Sequence, residues 1–285
     1  MESPHVTPAR DERRSPTPAA AHKRDAIRRL KEAMAEDRFV LHYQPIVDAH
    51  DGRAVSAEAL LRWRDSGEDH DAIAELLQSV ERSPVIFRLE NWALDQALQA
   101  ARAWLDAGVR LRVGVNLSAR EFPRADLSGR IRYRLSASGL PPSALALEVT
   151  ESSAISDFGA AADRLERLAA MGIELWLDDF GTGHSSLEWL SRLPTHGLKI
   201  PGTFVKRLFT EPRCQVIVRR AIEMAHDLGL RVVAEEVETP PQRDYLATCG
   251  CDLFQGFHFH GALPAGELPR ALGGAVAPPS ARSLP

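Results

Sequence analysis

The chain has 285 residues and a formal charge of −4, with 35 Lys and Arg against 39 Asp and Glu. Apolar residues make up 44% and charged residues 26%, a globular balance that excludes a disordered or collagen-like chain. The near-neutral charge argues against a dedicated binder of nucleic-acid polymers, and no run of about 18 apolar residues is present to insert into a membrane. Residues 1–21 carry prolines and scattered charge without an apolar stretch, so they do not read as a secretory signal. Three cysteines, Cys214, Cys249 and Cys251, contain no CxxC and make no disulfide framework. They fit buried thiols of a reducing cytoplasm. No HExxH occurs. His258 and His260 would share one strand face, a pair more often surface or core than metal-binding.

Residues 1–22 read as a disordered arm rich in Pro and Arg. A helix is predicted over 23–36, then strands over 39–44 and 54–61. The long interval that follows is read as an insertion, wholly helical or irregular. Its clearest part is a helix over 87–107, where Leu89, Trp92, Ala93, Ala97, Ala100 and Trp104 recur three and four apart. Strands are then predicted over 111–117, 144–150, 173–179, 196–200, 231–235 and 252–257. Helices are predicted over 126–138, 159–171, 213–228 and 241–249. Gly108, Gly172, Gly229 and Gly250 sit where helix C-terminal caps belong. The tail 273–285 reads as disordered. Eight strands alternating with helices predict an α/β fold, a (β/α)₈ barrel over residues 23–272 with no second folded domain in this sequence. An open doubly wound sheet is the rival, but no glycine fingerprint follows the first strand.

The predicted strands share an unusual property. A polar or ionisable residue stands near the end of each apolar run: Gln44, Glu58, Asn116, Glu148, Asp178 with Asp179, Lys199, Glu235 and Gln255. A barrel interior wants branched apolar side chains, whereas the C-terminal strand ends build the active site. Glu58, Glu148, Asp178, Asp179 and Glu235 crowded at one mouth would repel one another and require cations. Oxygen donors without Cys or His favour Mg²⁺ or Mn²⁺ over Zn²⁺. One of the adjacent aspartates could bridge two metals, as in two-metal phosphodiester hydrolysis. Lys199 could hold an attacking water or a phosphate oxygen. These residues point to a metal-dependent barrel enzyme acting on a phosphate ester.

The same residues lie within an ordered series of motifs. They are Tyr43-Gln44-Pro45-Ile46-Val47, Glu58-Ala59-Leu60-Leu61-Arg62-Trp63, Val115-Asn116-Leu117-Ser118, Glu148-Val149-Thr150-Glu151-Ser152 and Asp178-Asp179-Phe180-Gly181-Thr182-Gly183. Further on come Ser185-Ser186-Leu187, Leu198-Lys199-Ile200, Ala234-Glu235, Val237-Glu238-Thr239 and Gln255-Gly256-Phe257. The chain thereby resembles the EAL family of cyclic di-GMP phosphodiesterases over residues 26–270.

That resemblance implies a TIM-like barrel whose first strand is antiparallel. It implies two Mg²⁺ or Mn²⁺ ions and hydrolysis of cyclic di-GMP to linear pGpG. The family's first metal would fall to Glu58, Asn116, Glu148 and Asp178, and its second to Asp178, Asp179 and Glu235, with Asp178 as the bridge. Lys199 would position the nucleophilic water. Glu235, as a metal ligand, is not free to act as general base, which favours a hydroxide between the metals. Gln44, Arg62, Glu238 and Gln255 would line the substrate site, with Arg62 on phosphate. Glu151 would anchor the loop 181–186, which links the dimer interface to the second metal. A cytoplasmic homodimer is implied, with regulation by a separate protein partner as one possible input. A catalytically weak receptor or protein-interaction module of the same fold is the alternative reading.

The sequence also departs from the family pattern. The stretch 64–86 is altered and lacks the usual His-Pro after Trp63, and His184 replaces a Tyr. Pro201 replaces the Asp that usually follows Lys199-Ile200, and Glu236 replaces the Gly that usually follows Glu235. Strand alternation would aim Glu236 away from Glu235, toward the helix layer or the rim. Trp63 is read as packing rather than as a base-stacking platform.

Overall fold

The computed structural model describes residues 18–64, 70–80, 83–118, 121, 124, 126–150, 158–182 and 186–273. The arm before Pro18, the tail after Gly273, Glu151 and His184 lie outside the described residues. In chain order the elements are α1 (Pro18–Ala35), β1 (Phe39–Asp48), β2 (Ala54–Trp63), α2 (His70–Val80), α3 (Ile86–Asp106), β3 (Arg112–Leu117) and α4 (Leu127–Ser138). Next come β4 (Leu145–Thr150), α5 (Phe158–Ala170), β5 (Glu174–Asp178), α6 (Ser186–Arg192), β6 (Gly197–Ile200), α7 (Gly202–Val205) and α8 (Pro212–Asp227). The chain continues through β7 (Arg231–Ala234), α9 (Pro240–Thr248), β8 (Leu253–Phe254), β9 (Leu263–Pro264) and α10 (Leu268–Ala271).

The strands close on themselves. Strands β2 to β8 run side by side in sequence order, each parallel to the next, and β1 fills the gap between β8 and β2. β1 is antiparallel to both neighbours, pairing Gln44 with Glu58 on one side and Asp48 with Leu253 on the other. The short β9 pairs with β1 at His42 and Tyr43, on the edge that β8 meets at Val47 and Asp48. The predicted barrel with an antiparallel first strand is therefore the observed one. Parallel strands covered by helices lose water from both faces, and β4, Leu-Ala-Leu-Glu-Val-Thr, is buried at its first five positions.

Three apolar clusters hold the ring. The largest lies between the strands and the surrounding helices and contains Leu98, Trp104, Leu147, Leu165 and Leu198. A second joins α1, α2 and the start of α3 to β1, with Leu30, Phe39, Leu76 and Leu89 in contact. There Trp63 stacks on Phe39 with centroids 4.7 Å apart, so Trp63 is a packing residue. The third fills the barrel interior with Ile46, Val55, Ala146, Trp176, Val233 and Leu253. Gly197 admits the Trp176 ring, because a Cβ there would overlap it. Below this layer Glu174 accepts from Arg112 and Arg231, each at 2.8 Å, and closes the N-terminal end.

The local expectations hold with adjustments. Gly108, Gly172, Gly229 and Gly250 all adopt positive φ. α1 starts at Pro18, ahead of the expected boundary at Lys23. α2 lies in the interval read as helical or irregular, while α6, α7, α10 and β9 are too short for periodicity to reveal. β8 ends at Phe254, so His258 and His260 follow one another in a turn rather than along a strand face.

The Glu174 plug is testable. Glu174→Ala leaves Arg112 and Arg231 without their shared carboxylate in a nearly dry site. Urea denaturation is expected to show a loss of about 3 kcal/mol.

Candidate active site

The C-terminal ends of the parallel strands converge above the Ile46–Trp176 layer. In this upper layer polar side chains from most of the strands face one another. Lys199 on β6 is its centre and is only 1% exposed. Its Nζ lies 3.0 Å from Glu58 Oε2, 2.7 Å from Glu148 Oε2, 3.5 Å from Asp178 Oδ1 and 2.6 Å from Glu235 Oε1. Asn116 Nδ2 donates to Glu58 Oε1 at 3.1 Å, and Gln255 Nε2 donates to Glu58 Oε2 at 2.8 Å. Gln255 also reaches Gln44 Oε1 at 3.2 Å, and Gln44 donates to the His260 carbonyl. Gln44, Glu58, Asn116, Glu148, Asp178, Lys199, Glu235 and Gln255 thus form one connected group.

Strand endings aim the remaining carboxylates. β5 stops at Asp178, and Asp179 turns into the left-handed region at φ 55°. Alternation breaks there, and the Asp179 N–H donates back to Asp178 Oδ1 at 2.9 Å. β7 stops at Ala234, before the predicted end at Glu235. Carboxylate oxygens of Asp178, Asp179 and Glu235 then lie within 4.8 Å of one another. A capping box at the start of α9, Thr239 with Gln242 behind Pro240, fixes the segment that follows, and Gln242 Oε1 also accepts from the Glu238 N–H.

Charge sets the protonation of this group. Burial opposes the Lys199 charge, but the four surrounding carboxylates hold its proton well above the ordinary lysine range. Burial pushes Glu58 up, yet Lys199, Gln255 and Asn116 outweigh it and hold Glu58 low. Burial and the neighbouring Glu58 charge push Glu148 up to about 8. Burial, with Asp178 and Glu58 adding repulsion, raises Glu235 well above the usual range despite Lys199. One ammonium therefore does not offset the repulsion among the carboxylates, and Glu148 and Glu235 are both shifted upward. An oxygen-only donor set with surplus negative charge fits hard divalent cations.

Not every expected residue joins the group. Arg62 lies on β2, half-buried, and donates to the neighbouring Leu61 carbonyl at 2.8 Å. Glu238 is exposed and stands 4.0 Å from Lys206 on the loop after β6. Glu236 does not follow strand alternation, because β7 has already ended; its φ is 51°, a conformation that disfavours a side chain. Its carboxylate lies against Gly202, where a Cβ would overlap it, and pairs with Lys206 at 2.5 Å. Pro201 is extended, with φ −68° and ψ 149°, directly before α7.

Two contributors escape the motifs. Gly114 on β3 leaves the space into which Glu148 Oε1 projects. A glycine inside an apolar strand was the available sign of such a close approach. Glu90 on α3 accepts from the Ser118 N–H at 3.1 Å, just beyond Asn116. Burial, reinforced by Glu121, pushes Glu90 up to about 7. Its sequence sign was an acid one and two turns before the buried Leu94 and Ala97 on the inner stripe of α3.

The EAL domain family matches residues 27–262. The chain belongs to that family. It is 40% identical over 240 residues to the "Bifunctional diguanylate cyclase/cyclic di-GMP phosphodiesterase MucR" of Pseudomonas aeruginosa, covering 84% of this chain and 35% of the relative. It is 39% identical to the "Cyclic di-GMP phosphodiesterase NbdA" of the same organism, covering 84% of this chain and 31% of the relative. The chain thus spans about a third of the length of these curated relatives. Among solved structures, "PaMucR Phosphodiesterase, c-di-GMP complex" superposes with a TM-score of 0.78 at 39% identity, covering 86% of this chain and 99% of that one. The EAL domain of Mycobacterium smegmatis DcpA gives 0.73 at 30% identity, covering 84% and 100%.

Two outcomes follow from the geometry. Gly114→Ala should displace Glu148 and weaken Mn²⁺ binding by about tenfold or more, as followed by calorimetric titration. Glu90 gives a pH signature. Its folded pKa lies above its unfolded value, so the native state binds more protons between about 4.5 and 7, and stability falls as pH rises through that window. The fall levels off above about 7 and amounts to at most about 3 kcal/mol. Glu90→Gln should remove it in urea titrations at pH 5 and pH 8.

Proposed function

We propose that this EAL domain is a divalent-metal-dependent phosphodiesterase that hydrolyses cyclic di-GMP to linear pGpG. The observation that carries the reading is the convergence of Asp178, Asp179 and Glu235 beside Glu58, Glu148 and Lys199 at the C-terminal mouth. When ionised, five carboxylates against one ammonium leave four negative charges, which repel a phosphodiester. Two Mg²⁺ or Mn²⁺ ions would cancel them and supply Lewis-acid activation of water and phosphate. Glu58, Asn116, Glu148 and Asp178 would hold the first ion. Asp178, Asp179 and Glu235 would hold the second.

The chain's own groups perform the remaining work. Lys199 keeps a fixed positive charge where the attacking water and a phosphate oxygen meet, and burial strengthens that field. Gln255 and Asn116 fix the Glu58 carboxylate through both of its oxygens. Gln44, Gln255, Arg62 and Glu238 would line the substrate site, with the Arg62 guanidinium on phosphate. Glu151 would anchor the loop 181–186. The protein is proposed to act in the cytoplasm as a homodimer, open to control by a regulatory protein partner. No helix of the described residues is long and apolar enough to cross a membrane.

A receptor without useful turnover is the second reading. It is favoured by Glu238, which stands beside Lys206 instead of joining the central group.

Purified protein incubated with cyclic di-GMP and Mg²⁺ or Mn²⁺ is expected to give pGpG by chromatography. Glu58→Ala should cut turnover by about a hundredfold or more. Binding of cyclic di-GMP without conversion by the wild-type chain would establish the receptor reading instead.

A further inference from the structure

We propose that Glu90 is a positioning residue that sets the placement of Asn116, and through it the affinity of the mouth for a divalent cation. The inference rests on the reading above, in which Asn116 is a metal ligand. It starts from how β3 is held. β3 pairs with β2 only as far as Glu58 beside Gly114, whereas its pairing with β4 continues to Leu117 beside Val149. The last three residues of β3, Asn116 among them, are thus held in the sheet from one side. The next N–H, that of Ser118, is received by Glu90 Oε1 at 3.1 Å. A carboxylate accepting a backbone N–H makes a strong hydrogen bond. α3 therefore fixes the end of β3 beyond the reach of β2.

The helix that carries Glu90 is itself well packed, and the second oxygen of Glu90, Oε2, is buried without a hydrogen-bond partner. Leu89 and Leu94 bury its helix on either side. Arg130 on α4 donates to Asn91 Oδ1 at 3.2 Å and pairs with Glu121, which is buried. Glu90, Asn116, Glu121 and Arg130 line one small cavity of about 20 Å³. The Asn116 side chain is exposed and depends on its backbone for placement. Its Nδ2 is committed to Glu58 Oε1, so Oδ1 is the atom left for a cation. Any drift of the β3 end moves that oxygen and pulls on Glu58 together. Groups that orient a metal ligand in this way are worth about 10–100-fold in metal affinity.

The test is a double-mutant cycle on the full chain, read by Mn²⁺ binding in electron paramagnetic resonance titrations. Glu90→Met keeps the volume and removes the acceptor; it should weaken Mn²⁺ about tenfold. Glu90→Gln keeps a carbonyl oxygen for Ser118 and should bind within about twofold of wild type. In an Asn116→Ala background, Glu90→Met should cause no further loss, which a general weakening of the fold would not produce. Wild-type affinity in Glu90→Met, or an additive loss in the Asn116→Ala background, overturns the proposal and leaves the phosphodiesterase reading intact. A wild-type chain that binds no Mn²⁺ overturns both. Should Glu90→Met fail to fold, Glu90→Ala takes its place. If neither folds while Glu90→Gln does, Glu90 serves stability alone and the proposal fails.

Discussion

A single buried ammonium organises this molecule. Lys199 stands inside a barrel with acids from β2, β4, β5 and the end of β7 around it. Its charge is costly to bury alone, as are theirs. Together they are tolerable, and the cost falls further when hydrogen bonds satisfy the remaining oxygens. Asn116 and Gln255 do this for Glu58. The consequence is a layered interior. An ionic plug at Glu174 closes one end, the Trp176 layer excludes water in the middle, and the acidic group opens at the other end. Stability is drawn from the lower layers, which leaves the upper one free to be electrostatically frustrated.

That frustration is where function is written. Burial and neighbouring carboxylates push Glu148 and Glu235 upward despite Lys199. Carboxyl groups shifted by burial and like charge cluster at functional sites. The neighbouring loops carry the chain's own variations. Glu236 accepts an unfavourable backbone conformation and pairs with Lys206, joining the loop after β6 to the loop after β7. Pro201 stiffens the first of these loops.

Much of this was legible in the sequence. Alternating apolar runs and amphipathic stretches marked the eight staves, because parallel strands buried on both faces are continuous in hydrophobicity. Polar residues at the strand ends marked the mouth, since nothing in core packing demands them. What escaped was contact between distant segments. Glu235 was read as the last residue of a strand, but the ladder stops one residue earlier and the chain twists into αL at Glu236. Strand alternation has no meaning past that point. Gln255 bonds to Glu58 although β8 is only two residues long; the residue type carries the signal and the ladder does not. Glu238 carried the same kind of signal, yet its partner Lys206 comes from a loop that no spacing rule connects to it. Glu90 works through a backbone N–H, which leaves no mark on the residue it serves.

The seam at β1 bears on how the protein is made. Asp48 meets Leu253 across the closing junction, some ~200 residues downstream. At a synthesis rate of about 5–20 residues per second, the nascent chain waits roughly 10–40 s before that junction can form. During this wait β1 has its hairpin partner β2 on one edge only. Its other edge is a row of unpaired N–H and C=O groups on an apolar strand, open to any stray strand nearby. Chaperone dependence during synthesis should therefore exceed anything the finished barrel's stability suggests. Moving the chain's start to the turn at 49–53, so that β1 is synthesised last, would shorten that exposure.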